Sequence, residues 1–175
     1  CTSCGAGLNV LGGGRVQVHV CGYCGAELDA QHNYKILKEF GDLVRPESPF
    51  GIGMQGMIQG VFFTVIGTLG MEEHYGGRVW RWTEHQVFSP THGYAYLTVE
   101  DGHFTFTHRL RHPTQPDWMS VHRVETAEAP PTVTSEGAQY KYFDTSTSKI
   151  TFVEGEFNWQ PEIGQHSTTV TAMSG

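Results

Sequence analysis

Four side chains in this sequence have an obvious chemistry: Cys1, Cys4, Cys21 and Cys24, the only cysteines of the chain. They form two C-x-x-C pairs in the arrangement C-x2-C-x16-C-x2-C. Two residues between thiolates let one tight turn aim both sulfurs at the same ion, and the glycines that follow, Gly5 and Gly25, allow the left-handed backbone such a turn needs. The unit C-x-x-C-G-A-x-L is written twice, over Cys1–Leu8 and Cys21–Leu28. This spacing predicts a Cys4 zinc ribbon with these four residues as ligands. Four thiolates fill a tetrahedral zinc shell and leave no position for a substrate water, so the metal would be structural. Three other chemistries use the same residues: two disulfides, a redox-active C-x-x-C, and a rubredoxin-like iron centre. A redox pair ordinarily occurs once, within a βαβ pattern, and no such pattern is visible. An N-terminal cysteine can also carry lipid, but Cys1 has its partner at Cys4 and reads as a ligand.

The elements that must position these groups are strands. Val16, Val18 and Val20 alternate with Gln17 and His19, as in a short strand after the reversal at Gly12-Gly13-Gly14. Residues 1–30 therefore read as the ribbon. Residues 31–50 read as a connector, with at best a helical turn over Tyr34–Phe40 and a boundary at Arg45-Pro46-Glu47-Ser48-Pro49. From residue 51 to residue 175 the pattern predicts an all-β domain, with a division into two sub-sheets near 126–136. Val79 to Phe88 alternates strictly, with Trp80, Trp82, Glu84, Gln86 and Phe88 on one face. Two runs, Tyr94–Val99 and His103–Thr107, meet at Asp101-Gly102, a hairpin signal. Further strands are expected around Val121–Val124, Tyr140–Phe143, Ile150–Val153 and Ser167–Ala172. Short strands and frequent turns predict a mainly β fold, an antiparallel barrel or sandwich.

Outside the ribbon the chemistry is thin. Glu84 shares a face with tryptophans, where burial would raise its pKa and equip it as a general acid or base. The plainer reading leaves it in solvent or paired with Arg81, Arg78 or a strand neighbour. His103, His108, His112 and His122 lack the spacing of a metal motif. The run Gly51-Ile52-Gly53-Met54-Gln55-Gly56 matches a dinucleotide fingerprint by letter only, without the preceding strand or following helix. Trp82, Trp118, Phe157 and Trp159 are candidate binding aromatics. The segment from Val153 to Pro161 reads either as a binding lip or as a bulge with an aromatic plug.

The sequence also resembles a known family. Ile52-Gly53-Met54-Gln55-Gly56-Met57, Trp82-Thr83-Glu84-His85, Gly93-Tyr94-Ala95-Tyr96-Leu97, Asp101-Gly102-His103-Phe104 and Glu154-Gly155-Glu156-Phe157-Asn158-Trp159 are similar to the bacterial domain-of-unknown-function family 4178. Members of that family often carry an N-terminal C-x-x-C ribbon. His85 departs from the pattern, which has an aromatic residue there. The resemblance implies a cytoplasmic bacterial protein without an established activity, encoded beside membrane-stress modules; the expected protein partner is unidentified, with a membrane-associated stress protein as the candidate.

The 175-residue chain has a net charge of −7, with 11 Lys+Arg against 18 Asp+Glu. Affinity for nucleic acid comes from neutralising phosphates, so this balance disfavours binding through the ribbon, where Arg15 is the one cationic side chain before residue 31. No apolar run is long enough to span a bilayer. The functional expectation is a zinc-containing, non-enzymatic adaptor acting through protein contacts of its β domain. The alternative is an enzyme with Glu84 and nearby histidines in a β-barrel pocket.

Overall fold

A computed structural model describes all of residues 1–175. It has eleven strands and one short helix. The strands are β1 (Val18–Val20), β2 (Ala26–Asp29), β3 (Lys35–Glu39), β4 (Gln55–Ile58), β5 (Val61–Tyr75), β6 (Arg78–Ser89), β7 (Gly93–Glu100), β8 (His103–His108), β9 (Thr132–Ser135), β10 (Ala138–Phe157) and β11 (His166–Met173). The helix α1 covers Val121–Thr126. The chain divides into two compact units: Cys1–His108 with Lys149–Gln165, and Arg109–Ser148 with His166–Gly175.

In the first unit the strand order is β3-β2-β1-β10-β5-β6-β7-β8, with β4 paired to the start of β5. Every pairing is antiparallel. The mainly β, antiparallel expectation holds, but the sheet stays open from β3 to β8 rather than closing into a barrel. The Asp101-Gly102 hairpin forms as the sequence predicts, with positive φ at both residues (46° and 79°).

Two expectations fail for local reasons. The segment over Tyr34–Phe40 is strand β3, not a helical turn, because β2 has a free edge and takes Ile36 opposite Leu28. Residues 121–124 form a helix instead of a strand: the Ser120 hydroxyl accepts from the Arg123 N–H at 3.0 Å, an N-cap that starts α1.

Strand alternation sorts the first unit into two faces. Val18, Val20, Leu69, Met71, Ile150, Val153 and Phe157 form one core cluster, joined by Phe40, Trp82, Tyr96 and Trp159. Phe63, Val65, Val87 and Ala95 form another, joined by Phe50, Ile58, Val61, Leu97 and Phe106. Where β5 meets β10, Gly67 stands opposite Gly155. A Cβ at Gly155 would lie 2.4 Å from the Ile66 carbonyl oxygen, so only glycine lets these backbones approach.

In the second unit β9 folds back on the first half of β10 through Glu136-Gly137, with Ser135 opposite Ala138. β11 also pairs with β10.

Candidate metal centre

The two cysteine turns are built alike. The Gly5 N–H donates to the Cys1 carbonyl at 2.9 Å, and the Gly25 N–H donates to the Cys21 carbonyl at 2.9 Å. Gly5 and Gly25 both have positive φ (77° and 69°), as the repeated glycine predicts. A Cβ at Gly25 would sit 2.9 Å from the Gly41 carbonyl oxygen, so this glycine also admits the chain leaving β3. The Phe40 N–H donates to the Gly25 carbonyl at 3.1 Å. From the other turn, Thr2 Oγ1 donates to the Tyr34 carbonyl at 2.5 Å and Ser3 Oγ to Glu39 Oε1 at 3.2 Å. The segment that reads as a connector thus braces both turns.

The four sulfurs lie within 4.8 Å of one another. Cys1 Sγ is 3.8 Å from Cys24 Sγ, and Cys4 Sγ is 3.8 Å from Cys21 Sγ. A disulfide needs about 2.05 Å, and all four residues are free thiols. A tetrahedral ion with metal–sulfur bonds of about 2.3 Å requires sulfurs about 3.8 Å apart, so the donor set fits a four-thiolate metal site. His103, His108, His112 and His122 are not part of this group.

Glu84 lies on the Leu69 face of the sheet and is half-buried. It is neither in open solvent nor paired with Arg81, which turns to Glu72 at 3.0 Å. Its Oε1 accepts from Trp82 Nε1 at 2.9 Å, and burial pushes its carboxyl above the usual range. The neighbouring Tyr96 phenol is pushed up to about 12, also by burial, and accepts from Trp159 Nε1. Trp82 and Trp159 are therefore core-packed aromatics with their N–H groups satisfied, and Phe157 is fully buried. In the segment from Val153 to Pro161 the two aromatic rings, Phe157 and Trp159, pack into the core cluster. Of the four candidate aromatics only Trp118, in the second unit, stands in solvent, at 74% exposure.

Sequence reasoning missed His85. Strand parity turns it away from Glu84, onto the Val87 face, where it is 1% exposed. Its Nε2 is 2.7 Å from Ser48 Oγ, and its Nδ1 is 3.0 Å from Thr68 Oγ1. Burial lowers its pKa to about 4, so the ring is neutral, with one nitrogen donating and the other accepting. Thr83 Oγ1 donates to the Glu47 carbonyl at 3.2 Å, and Phe50 packs edge-on against His85. The group fastens residues 47–50 across the sheet. The one available signal was the parity itself.

An open antiparallel sheet edged by a four-thiol site defines a mainly β protein with a candidate metal centre. Residues 51–174 match the domain of unknown function DUF4178, and the chain belongs to that family. No curated protein and no solved structure matches it. No helix is long and apolar enough to cross a membrane.

Proposed function

We propose that this chain is a structural-zinc, non-enzymatic adaptor that works through protein contacts of its β portion. Zinc is the metal chosen because four thiolates at tetrahedral spacing suit its filled d shell and its structural sites. The observation that carries the reading is the closed ligand set: all four donors are cysteines that are held by paired turns, which leaves a metal there no open position for substrate. Large apolar side chains at the surface, Trp118 among them, supply the kind of anchors protein contacts use. A bacterial, cytoplasmic setting with a membrane-associated stress protein as partner belongs to the same proposal and is supported by the family resemblance alone.

Cross-linked affinity capture of the tagged chain from cells that express it natively tests the reading. A protein partner recovered in near-stoichiometric amount is the expected result. Recovery of no protein above background contradicts it. Metal analysis of the purified chain should give one zinc per chain, and iron in its place would contradict the choice of metal.

A further inference from the structure

From Ser48 to Met71 the chain has no Asp, Glu, Lys or Arg, although it carries a net charge of −7 overall. This stretch builds β4 and most of β5. Together with β6, β7 and β8 it lines an open apolar groove of about 340 Å³. Phe63, Val65, Val87 and Leu97 line it from the sheet, Met57 from β4, and Phe104 from β8. Its rim is apolar yet open to solvent: Met57 is 64% exposed and Phe104 58%.

Beside the groove β8 ends the sheet. Soluble proteins usually blunt such an edge with lysine, proline or a bulge, because its unpaired backbone groups template another strand. β8 reads His-Phe-Thr-Phe-Thr-His and pairs with β7 in unbroken register, so none of these devices is present.

We propose that β8 and this groove together form a docking site for an extended, uncharged segment of a partner protein, added as the next strand of the sheet. The proposal rests on the adaptor reading above and names its surface. Backbone hydrogen bonds along β8 would hold the segment. Its alternate apolar side chains, spaced for one face of a strand, would enter the groove. The partner segment is uncharged because a charge placed among these side chains would be desolvated without a counterion.

A second copy of the chain fits less well. Phe104 packs against Phe50 (ring centroids 5.5 Å apart) and Phe106 against Phe63 (5.4 Å). A copy pairing through its own β8 therefore has its phenylalanines engaged and leaves the groove empty.

The test uses the full zinc-loaded chain and a fluorescein-labelled peptide, acetyl-Thr-Phe-Thr-Leu-Thr-Val-Thr-amide. Saturable binding is expected, with slower amide exchange over 103–107. Binding should fall at least ~10-fold in Met57→Glu and in Phe104→Glu, with far-UV circular dichroism unchanged. It should fall similarly when Asp replaces the three apolar peptide residues or when alternate peptide amides are N-methylated. Met57→Glu lies on β4, so it keeps the test open if Phe104→Glu fails to fold. Absence of saturable binding overturns the proposal, as does indifference to the rim charges or to the Asp peptide. A concentration-dependent dimer of the native chain that Phe104→Glu abolishes also overturns it, in favour of self-pairing. If native partners are captured equally by the native chain and both rim variants, this surface is wrong while the adaptor reading stands.

Discussion

Val18 stands opposite Phe157 in the ladder between β1 and β10, and both are withdrawn from solvent, at 2% and 0% exposure. The Gln17 N–H donates to the Phe157 carbonyl at 2.8 Å, one residue further along the same seam. Cys21 follows β1 directly, so the cysteine turns are anchored to the long strand β10 by main-chain pairing and by one buried ring.

Phe157→Ala empties the centre of that seam. Truncating a fully buried phenylalanine costs about 3–5 kcal/mol, as lost transfer energy plus a cavity. Urea denaturation should show a loss of that size. Metal content should persist at folding conditions, because no ligand is touched. A loss below about 1 kcal/mol would mean the ring is not the packing centre that its burial indicates.

Gly155→Ala and Gly53→Ala separate backbone strain from crowding. Both glycines have φ near +90° (87° and 90°), but a Cβ at Gly53 meets open space while one at Gly155 meets the Ile66 carbonyl oxygen at 2.4 Å. Gly53→Ala should cost about 1–2 kcal/mol from strain alone. Gly155→Ala should cost distinctly more or prevent folding, because β5 and β10 must separate. Equal costs by thermal denaturation would contradict the close approach.

His85 gives the fold a defined acid sensitivity. The unfolded imidazole titrates near 6.5 and the folded one near 4, so between these values the unfolded chain binds more protons. Its contribution is full above about pH 6.5 and is lost as the pH falls towards about 4. At about 1.4 kcal/mol per unit the loss reaches about 3 kcal/mol. Burial raises the Glu84 and Glu156 carboxyls, which therefore act in the opposite sense in acid. The clean readout is the stability difference between the native chain and His85→Gln, which should shrink by that order between about pH 7 and about pH 4. A difference independent of pH would show that His85 is not held neutral by the fold.

The legible parts of this protein are those where residue type dictates backbone. The doubled C-x-x-C-G unit specifies its own turns, the alternation from Val79 to Phe88 specifies β6, and Asp101-Gly102 specifies its hairpin. Tyr34–Phe40 was not legible as a strand, because nothing local to it says that β2 needs a partner. Residues 121–124 look like a strand by composition, while one hydroxyl at Ser120 decides for helix. Periodicity showed that Glu84 and His85 face opposite ways. It did not say which face is covered by the segment carrying Ser48 and Phe50. The Ser48–His85–Thr68 group joins residues far apart in the chain, and only the folded register brings them together.

Binding energy at a four-thiolate site is largely folding energy, so metal and structure should be lost together. Amide hydrogen exchange on the zinc-loaded chain, before and after withdrawal of metal by a chelator, tests this most directly. The expected result is loss of protection across residues 1–30, including the Gly25 amide, and at the Phe40 amide and the Gly155–Phe157 end of β10, while β5 to β7 remain protected. Unchanged protection of residues 1–30 after the metal has gone would contradict it.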